Sequence, residues 1–265
     1  MKGEMKMKFT VIKDLMKKYS ENSAIQDGTS DIVTEQSAFD ICKSIPIYDE
    51  DGSFTLIAAR PGMGKTTFML QSAVSVALHK QKPVYIISLE HSAESLLRIL
   101  LKTVDEPFEN TIKNLPIHIC EDAPLSIDEI EKAIDAEIKD GIVFIDYLEL
   151  IVTNEKNPII RNSIVSSGLN ALSRHKPIPI ICCCQLSRYI EKSMRKDDRP
   201  ELRDLRYSGS LSQDADIVLF PYRDYYYNTD IPANDTSAEC IIAKNRYGEI
   251  GTVKLNWNSE KCCFE

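Results

Sequence analysis

The sequence lacks the features that mark three large classes of protein. Its 265 residues contain no run of 18 apolar residues, so no segment has the length and composition of a membrane-spanning helix. The first ten residues, MKGEMKMKFT, contain lysines but no apolar stretch after them, which is not typical of a secretory signal. The eight cysteines form no C-x-x-C pair, and adjacent cysteines point to opposite sides of a strand, so we expect no zinc site. We therefore interpret the cysteines as reduced thiols in a cytoplasmic protein without membrane association.

An excess of positive charge is also absent. The formal net charge is −8, which argues against a general electrostatic affinity for nucleic acid or for membranes. The charges are unevenly distributed, however, because acidic residues cluster at 121–140 and basic residues cluster at 188–206. A local basic surface is therefore compatible with the overall acidity.

What the sequence does contain is a regular alternation of strand-like and helix-like segments from residue 37 onwards. With 43% hydrophobic residues, the chain can bury a sizeable core, and its length suits one α/β domain with a small appendage. Continuous apolar runs indicate parallel strands that are covered on both faces. A pair of strands around Gly248 and Gly251 predicts a C-terminal antiparallel hairpin. We expect a mostly parallel sheet flanked by helices, with strands near 54–58, 83–88, 117–120, 142–147, 178–184, 216–220, 240–244 and 252–257.

An amphipathic helix is predicted before this domain, over residues 8–20, followed by a polar linker up to residue 36. We therefore divide the chain into a linker helix with its linker, 1–36, and an α/β domain, 37–265. The helix either packs on its own core or docks on another subunit, and its pattern does not distinguish between these alternatives.

The stretch FTLIAARPGMGKTTFMLQ, residues 54–71, has the order strand, glycine-containing loop, Lys-Thr and helix that is typical of a phosphate-binding loop, or P-loop. Gly62 and Gly64 allow backbone N–H groups to approach phosphate oxygens. Lys65 can reach the β- and γ-phosphates of a nucleotide, and the Thr66 hydroxyl can join the coordination of Mg²⁺. The residues expected to contact the nucleotide are Arg60, Pro61, Gly62, Met63, Gly64, Lys65, Thr66 and Thr67.

Polar side chains follow three of the predicted strands. Ligands of parallel sheets bind at the carboxyl ends of strands, where Glu90, Asp146 and Gln185 are placed. Asp146 is a candidate Mg²⁺ ligand or a simple turn cap. Glu90 is a candidate general base or a solvated glutamate at a helix start. Gln185 is a candidate γ-phosphate sensor or a strand-terminal hydrogen-bonding residue.

Together these blocks resemble the RecA-like P-loop core of the DnaB-type replicative helicases, over about residues 54–264. The order of the blocks is the same as in that family. The similar blocks are AARPGMGKTTF, SLEHSAESL, FIDYLELI, CCQLSRYIE, RPELRDLRYSGSLSQDADIVLFPYRD and IIAKNRYGEIGTVKL.

The resemblance implies further roles. Lys244 and Arg246 match the arginine-finger strand, which reaches the nucleotide of a neighbouring subunit. Arg206, Tyr207 and Gly209 match a loop that tracks single-stranded DNA. The helix at 8–20 would tie together a homo-hexameric ring, and a primase or a helicase loader is a possible partner. ATP hydrolysis would then drive movement along DNA.

The sequence also departs from the family. Ala59 stands where the P-loop pattern has its first glycine, and only about 36 residues precede the core. We interpret the chain as a short, divergent relative, with an isolated motor domain as the alternative. Other functions that stay open are a recombinase or recombination mediator and a non-motor relative that regulates or loads a helicase.

Overall fold

A ten-stranded sheet organises the protein in the computed structural model, which describes residues 7–22, 37–40, 43–47, 51–186, 198–208, 210–226, 232 and 235–265. The strands follow the order β1-β4-β3-β5-β6-β2-β7-β8-β9-β10. Their bounds are β1 Thr10–Val11, β2 Phe54–Ala59, β3 Val84–Ser88, β4 Ile117–Cys120, β5 Ile142–Asp146, β6 Ile180–Gln185, β7 Ile217–Tyr222, β8 Ser237–Asn245, β9 Gly251–Asn258 and β10 Cys263–Phe264.

The central part of this sheet is parallel, as the alternating pattern predicted. Strands β4, β3, β5, β6, β2 and β7 pair in parallel, whereas β1 pairs antiparallel with β4 and β8 pairs antiparallel with β7. Strands β8 and β9 form the predicted antiparallel hairpin, and the chain then adds β10 against β9. The predicted α/β fold class is confirmed.

Helices cover both faces of the parallel region. They are α1 Ile12–Asn22, α2 Ser37–Asp40, α3 Lys65–His79, α4 Ala93–Lys102, α5 Glu106–Lys113, α6 Ile127–Glu137, α7 Pro158–His175 and α8 Leu211–Asp214. The capping box expected at α6 is present, since the Ser126 and Glu129 side chains each bond the other residue's backbone N–H. Helix α5 was not predicted, because its eight residues contain few apolar ones.

Two hydrophobic cores lie on opposite faces of the sheet. Successive strand residues alternate between them, so that Phe144 belongs to one core, whereas Val143 and Ile145 belong to the other. All three side chains are fully buried. This two-sided burial is why the central strands consist of uninterrupted apolar runs.

In this structure the N-terminal helix packs against the α/β domain. Helix α1 packs against α4, α5 and β4, and Ile12 is fully buried in one of the two cores. The preceding residues Thr10 and Val11 extend the sheet by pairing with β4. Of the two alternatives that the sequence left open, the chain adopts packing on its own core, because the apolar face of α1 meets an apolar surface nearby.

The C-terminal residues are tied to the helix that follows the P-loop. The buried Gln71 side chain donates to the Phe264 carbonyl oxygen at 2.7 Å and accepts from the Phe264 N–H at 3.0 Å. The Gln71 side chain thus supplies a partner for both the N–H and the carbonyl group of Phe264, a residue that was not predicted to lie in a strand. Strand β10 is held in place by this exchange.

The cysteines within the described residues are free thiols, and all but the partly buried Cys262 are buried. Nowhere in the part of the chain that the structure describes does a helix have the length and apolar character needed to cross a membrane.

Candidate nucleotide-binding site

The P-loop connects the end of β2 to the start of α3 at the carboxyl edge of the parallel strands. All six residues of β2 are buried, and the loop 60–64 follows directly. Gly62 and Gly64 have φ angles of 74° and 96°, which L side chains rarely adopt. Helix α3 begins at Lys65, so its N-terminal N–H groups and its dipole point towards the loop. The arrangement can hold an anion such as a nucleotide phosphate.

Gly62 is also required because of space. A Cβ atom at this position would lie 2.1 Å from the Tyr226 hydroxyl oxygen, well inside the van der Waals limit. At Gly64 the nearest atoms would belong to the rings of Phe264 and Trp257, each 3.1 Å away. Tyr226 and the two C-terminal strands therefore pack directly onto the loop and leave no room for side chains there.

The first two residues of α3 face the end of β5. The Thr66 hydroxyl donates to Oδ2 of Asp146 at 2.8 Å, and the Lys65 ammonium lies 3.7 Å from Oδ1 of the same carboxylate. Lys65 also lies over the ring of Tyr147, 4.1 Å from its centroid. These contacts hold the lysine at the floor of the pocket, where a phosphate group can displace the aromatic contact.

Asp146 has the properties of a metal ligand. Its side chain is fully buried, and among the described residues Oδ1 has no hydrogen-bond partner. A buried carboxylate oxygen without a hydrogen bond is costly unless a cation offsets its charge. The carboxylate and the Thr66 hydroxyl are hard oxygen donors of the type that Mg²⁺ prefers, so these two residues fit the ion that was expected with a nucleotide.

The pKa values of Lys65 and Glu149, which lie near the loop, are shifted. Burial by itself lowers the pKa of Lys65, but the nearby Asp146 and Glu149 carboxylates raise it above its usual value, so that the lysine stays charged. Burial raises the pKa of Glu149, which accepts a hydrogen bond from the Gln185 N–H at 2.9 Å. The pocket therefore contains a charged Lys65, and burial disfavours the charged form of the neighbouring Glu149 carboxylate.

The other predicted strand-end residues lie in the same pocket. In the sheet, Gln185 is the partner of Ala59, and Asp146 is the partner of Ser88, two residues before Glu90. The pocket has a volume of about 400 Å³. It is lined by Ala59, Arg60, Pro61, Gly62, Gly64, Lys65, Thr66, Thr67, Glu90, His91, Tyr147, Gln185 and Trp257. The structure thus brings the P-loop, Glu90, Asp146 and Gln185 together, whereas Met63 is buried beneath the loop.

Lys244 and Arg246 do not lie in this pocket. Arg246 forms an ion pair with Asp216 at 2.8 Å, and the Asp216 carboxylate accepts the N–H of Phe54, the first residue of β2. The Lys244 ammonium donates to backbone carbonyl groups of residues 212, 213 and 215. The P-loop follows the other end of β2, at Ala59, which is five residues after Phe54 and roughly 17 Å away at about 3.3 Å per residue. Neither cation can reach the phosphate site of its own chain.

The residues expected to contact DNA are only partly described. Arg206 and Tyr207 belong to the 3-10 helix Leu202–Ser208, which packs on α7 and α8. Their side chains, Gly209 and the basic stretch 187–197 lie outside the described residues. Next to this stretch, Arg199 pairs with Glu239 and Arg203 pairs with Glu201.

Several pocket residues were not predicted as site residues. The guanidinium group of Arg223 lies 3.8 Å from the centroid of the Trp257 ring, and it donates to the Gly62 carbonyl oxygen. Its backbone N–H donates to the Met63 sulfur at 3.1 Å. His91 and Trp257 also line the pocket. His91 and Tyr147 could have been found from the sequence, since they directly follow Glu90 and Asp146, whereas Trp257 reaches the loop only through tertiary packing.

Comparisons with known proteins agree with this geometry. The protein-family model for the DnaB-like helicase C terminal domain matches residues 49–107 and 102–265 of the sequence. The replicative DNA helicase DnaB of Geobacillus stearothermophilus is 37% identical over 231 residues, which cover 77% of this chain and 50% of that protein. The chain spans about half the length of the curated relatives that it matches.

Two solved structures are similar over nearly the whole chain. One, described as an ATPase domain, has a TM-score of 0.73 and 30% sequence identity, covering 96% of this chain and 97% of that one. A DnaB-like replicative helicase, solved in a study of its interactions with primase, has a TM-score of 0.72 and 31% identity, covering 94% and 66%. Together with the family match over most of the sequence, these likenesses show that the chain belongs to the DnaB-like helicase C-terminal domain family.

Proposed function

We propose that the chain is an ATP-driven DNA helicase motor whose active site is completed by a second copy of the chain. The observation that carries this proposal is the separation of the two halves of the site. The P-loop lies at the carboxyl end of β2, whereas Arg246 is held by Asp216 at the amino end. A cation placed there can act only on the phosphates bound by a neighbouring subunit, as in a closed ring of six copies.

Within one pocket the roles divide as follows. Gly62, Gly64 and the N-terminus of α3 hold the phosphate groups, and Lys65 compensates their charge. Thr66 and Asp146 hold Mg²⁺, which neutralises charge on the phosphate oxygens when it is bound. Glu90, half-exposed at the pocket wall, orients or deprotonates the attacking water.

The remaining residues link the pocket to assembly and to DNA. Gln185 senses the γ-phosphate and passes its loss to the following segment, which includes Arg206, Tyr207 and Gly209 and holds single-stranded DNA. Lys244 and Arg246 enter the neighbour's site. The names of the relatives favour a motor over a non-motor regulator, recombinase or mediator. A primase or a loader is the expected partner in the cytoplasm.

We retain the division at residue 36 as part of this proposal. Helix α1 would leave its own domain and dock on the adjacent subunit when the ring forms. The linker 23–36 lies outside the described residues.

The test compares Arg246→Ala with Arg174→Ala. Both arginines pair with Oδ1 of Asp216, at 2.8 and 3.3 Å, so the control loses a similar ion pair without removing the proposed finger. We expect DNA-stimulated ATP hydrolysis to fall by at least about 10³-fold in Arg246→Ala, with nucleotide binding unchanged, because an arginine finger is worth this much in phosphoryl transfer. Arg174→Ala should retain most of the activity.

Mixing experiments test the action in trans. Lys65→Ala and Arg246→Ala are each expected to be inactive, whereas rings assembled from both contain some intact interfaces and should regain part of the activity. Full hydrolysis by Arg246→Ala, or by chains that remain monomeric in mass measurements with nucleotide and DNA, would contradict the proposal.

A further inference from the structure

A second possible metal site lies at the wall of the nucleotide pocket. Glu90, His91 and Asp146 each present one ligand atom, and these three atoms lie within 4.8 Å of one another. We propose that these residues bind a transition-metal ion of the Zn²⁺ or Co²⁺ type when no nucleotide is present. This site differs from the Mg²⁺ site by its imidazole ligand and by the absence of Thr66.

The backbone holds the three side chains together. The N–H of Leu89 donates to the carbonyl oxygen of Asp146 at 2.8 Å, which fastens the turn after β3 to the end of β5. Within this turn, the Ser88 hydroxyl donates to the His91 carbonyl oxygen at 2.6 Å and accepts the His91 N–H at 3.1 Å. The turn is therefore closed on itself and attached to the strand that carries Asp146, so the cluster does not depend on a chance approach of surface side chains.

The ligand atoms are available for a metal. Asp146 is fully buried, and its Oδ1 has no hydrogen-bond partner among the described residues, with only the Lys65 ammonium at 3.7 Å. The Glu90 and His91 side chains are 43% and 33% exposed, so they can rotate towards the buried oxygen. Zinc bonds of about 2.1 Å in tetrahedral geometry place ligand atoms roughly 3.4 Å apart. The three ligand atoms lie within 4.8 Å of one another, so a closure of at most about 1.4 Å by the two exposed side chains brings them to that value.

The donor set determines which ion binds. One imidazole nitrogen and two carboxylate oxygens, with water in the open position, suit Zn²⁺, Co²⁺ or Ni²⁺. Mg²⁺ takes oxygen ligands and has no preference for the imidazole. Because Asp146 belongs to both donor sets, a transition metal here would compete with the Mg²⁺–nucleotide complex. The inference uses the geometry of the proposed ATP site but does not require that the chain hydrolyse ATP.

Titration of the reduced 265-residue chain with Co²⁺ in the absence of nucleotide tests the site. We expect one equivalent to bind, with a visible spectrum that lacks thiolate-to-cobalt charge transfer. His91→Ala should weaken binding by at least about tenfold, since even the loss of an outer-shell partner costs 10–100-fold in metal affinity. His175→Ala is the matched control, because it removes an exposed histidine far from the cluster in sequence and should leave the affinity unchanged.

A second pair of variants separates this site from the thiols. Glu90→Gln should also weaken Co²⁺ binding, whereas Cys262→Ser, which removes the one partly exposed cysteine among those described, should not. Equal affinity of the wild-type protein and His91→Ala would overturn the proposal, as would a thiolate band that disappears in Cys262→Ser or the absence of stoichiometric binding. None of these outcomes depends on ATP hydrolysis, so a failure here leaves the helicase proposal to its own test.

Discussion

Replacing Asp216 by alanine should destabilise the fold more than the loss of a surface ion pair would. Asp216 is 1% exposed and lies just before β7, between the start of β2 and the end of β8. Its Oδ2 accepts the buried N–H of Phe54 at 2.9 Å. Its Oδ1 accepts from Arg246 at 2.8 Å and from Arg174 at 3.3 Å.

The magnitude follows from what each partner loses. A buried N–H group left without an acceptor costs about 1–3 kcal/mol. The side chains of Arg246 and Arg174 are 45% and 56% exposed, so water screens each pair and each contributes about 0–1 kcal/mol. These contributions sum to about 1–5 kcal/mol for Asp216→Ala, and the central value of about 3 kcal/mol corresponds to a Tm lower by about 6–12 °C for a chain of this size. Asp216→Asn keeps an oxygen acceptor for the backbone and should cost about 1 kcal/mol.

Urea and thermal unfolding measure this difference, with Asp51→Ala as the matched control. The Asp51 side chain is 72% exposed and 3.7 Å from Lys82, so its removal should change the free energy of unfolding by no more than about 0.5 kcal/mol. If Asp216→Ala were as stable as this control, the Asp216 carboxylate would not be the group that stabilises the contact between the start of β2 and the end of β8. An Asp216→Asn variant as unstable as Asp216→Ala would show that charge, and not the acceptor for the backbone N–H, is what matters.

Three further predictions concern the pocket and its support. Gly62→Ala should weaken nucleotide binding at least about tenfold in a fluorescent-nucleotide titration. The φ of 74° and a tyrosine oxygen 2.1 Å from the new Cβ would force the loop to move. Gly251→Ala is the control and should bind nucleotide normally, because a Cβ there meets nothing within 4 Å. Gln71→Ala should lower the free energy of unfolding by about 2–4 kcal/mol, since both backbone groups of Phe264 lose their side-chain partner, and an unchanged urea midpoint would refute this. Glu149→Gln should raise Tm more at pH 8 than at pH 5. Burial raises the pKa of the Glu149 carboxyl in the folded state, so the folded protein favours its neutral form. The stability that this neutral form contributes is lost as the pH rises from about 4.5 through the raised pKa, whereas the amide of the Glu149→Gln variant does not titrate. An equal difference in Tm between the variant and the wild type at both pH values would contradict this.

Much of the fold was predictable because the central strands are buried on both faces. In a strand such as β5, residues 142–145 must all be apolar because helices cover both faces, and so the sequence identifies the strand. The positions of Glu90, Asp146 and Gln185 followed for a related reason. Parallel strands end at one edge of the sheet, so residues at strand ends share a pocket before any contact is known.

Other parts depended on contacts between distant segments. The eight residues of α5 and the two of β10 are too short for a hydrophobic pattern to be recognised. Strand β10 is placed by Gln71, almost two hundred residues earlier. Likewise, the amphipathic pattern of α1 shows that one face must be covered, but it does not indicate which surface covers that face.

The sequence by itself determined the α/β class, the P-loop and the set of polar residues at the strand ends, because these follow from local periodicity and from the requirements of phosphate binding. Only the tertiary structure decided that α1 packs on its own core and that Arg223 and Trp257 close over the loop at Gly62. It also decided that Arg246 lies at the opposite end of β2 from Lys65. The physical reason is that strand order and direction set these distances. Strand β8 runs antiparallel to β7, so the last residue of β8, Asn245, pairs with the first residue of β7, Ile217. Arg246 follows Asn245 and therefore lies at the end of the sheet that is opposite to the P-loop of its own chain.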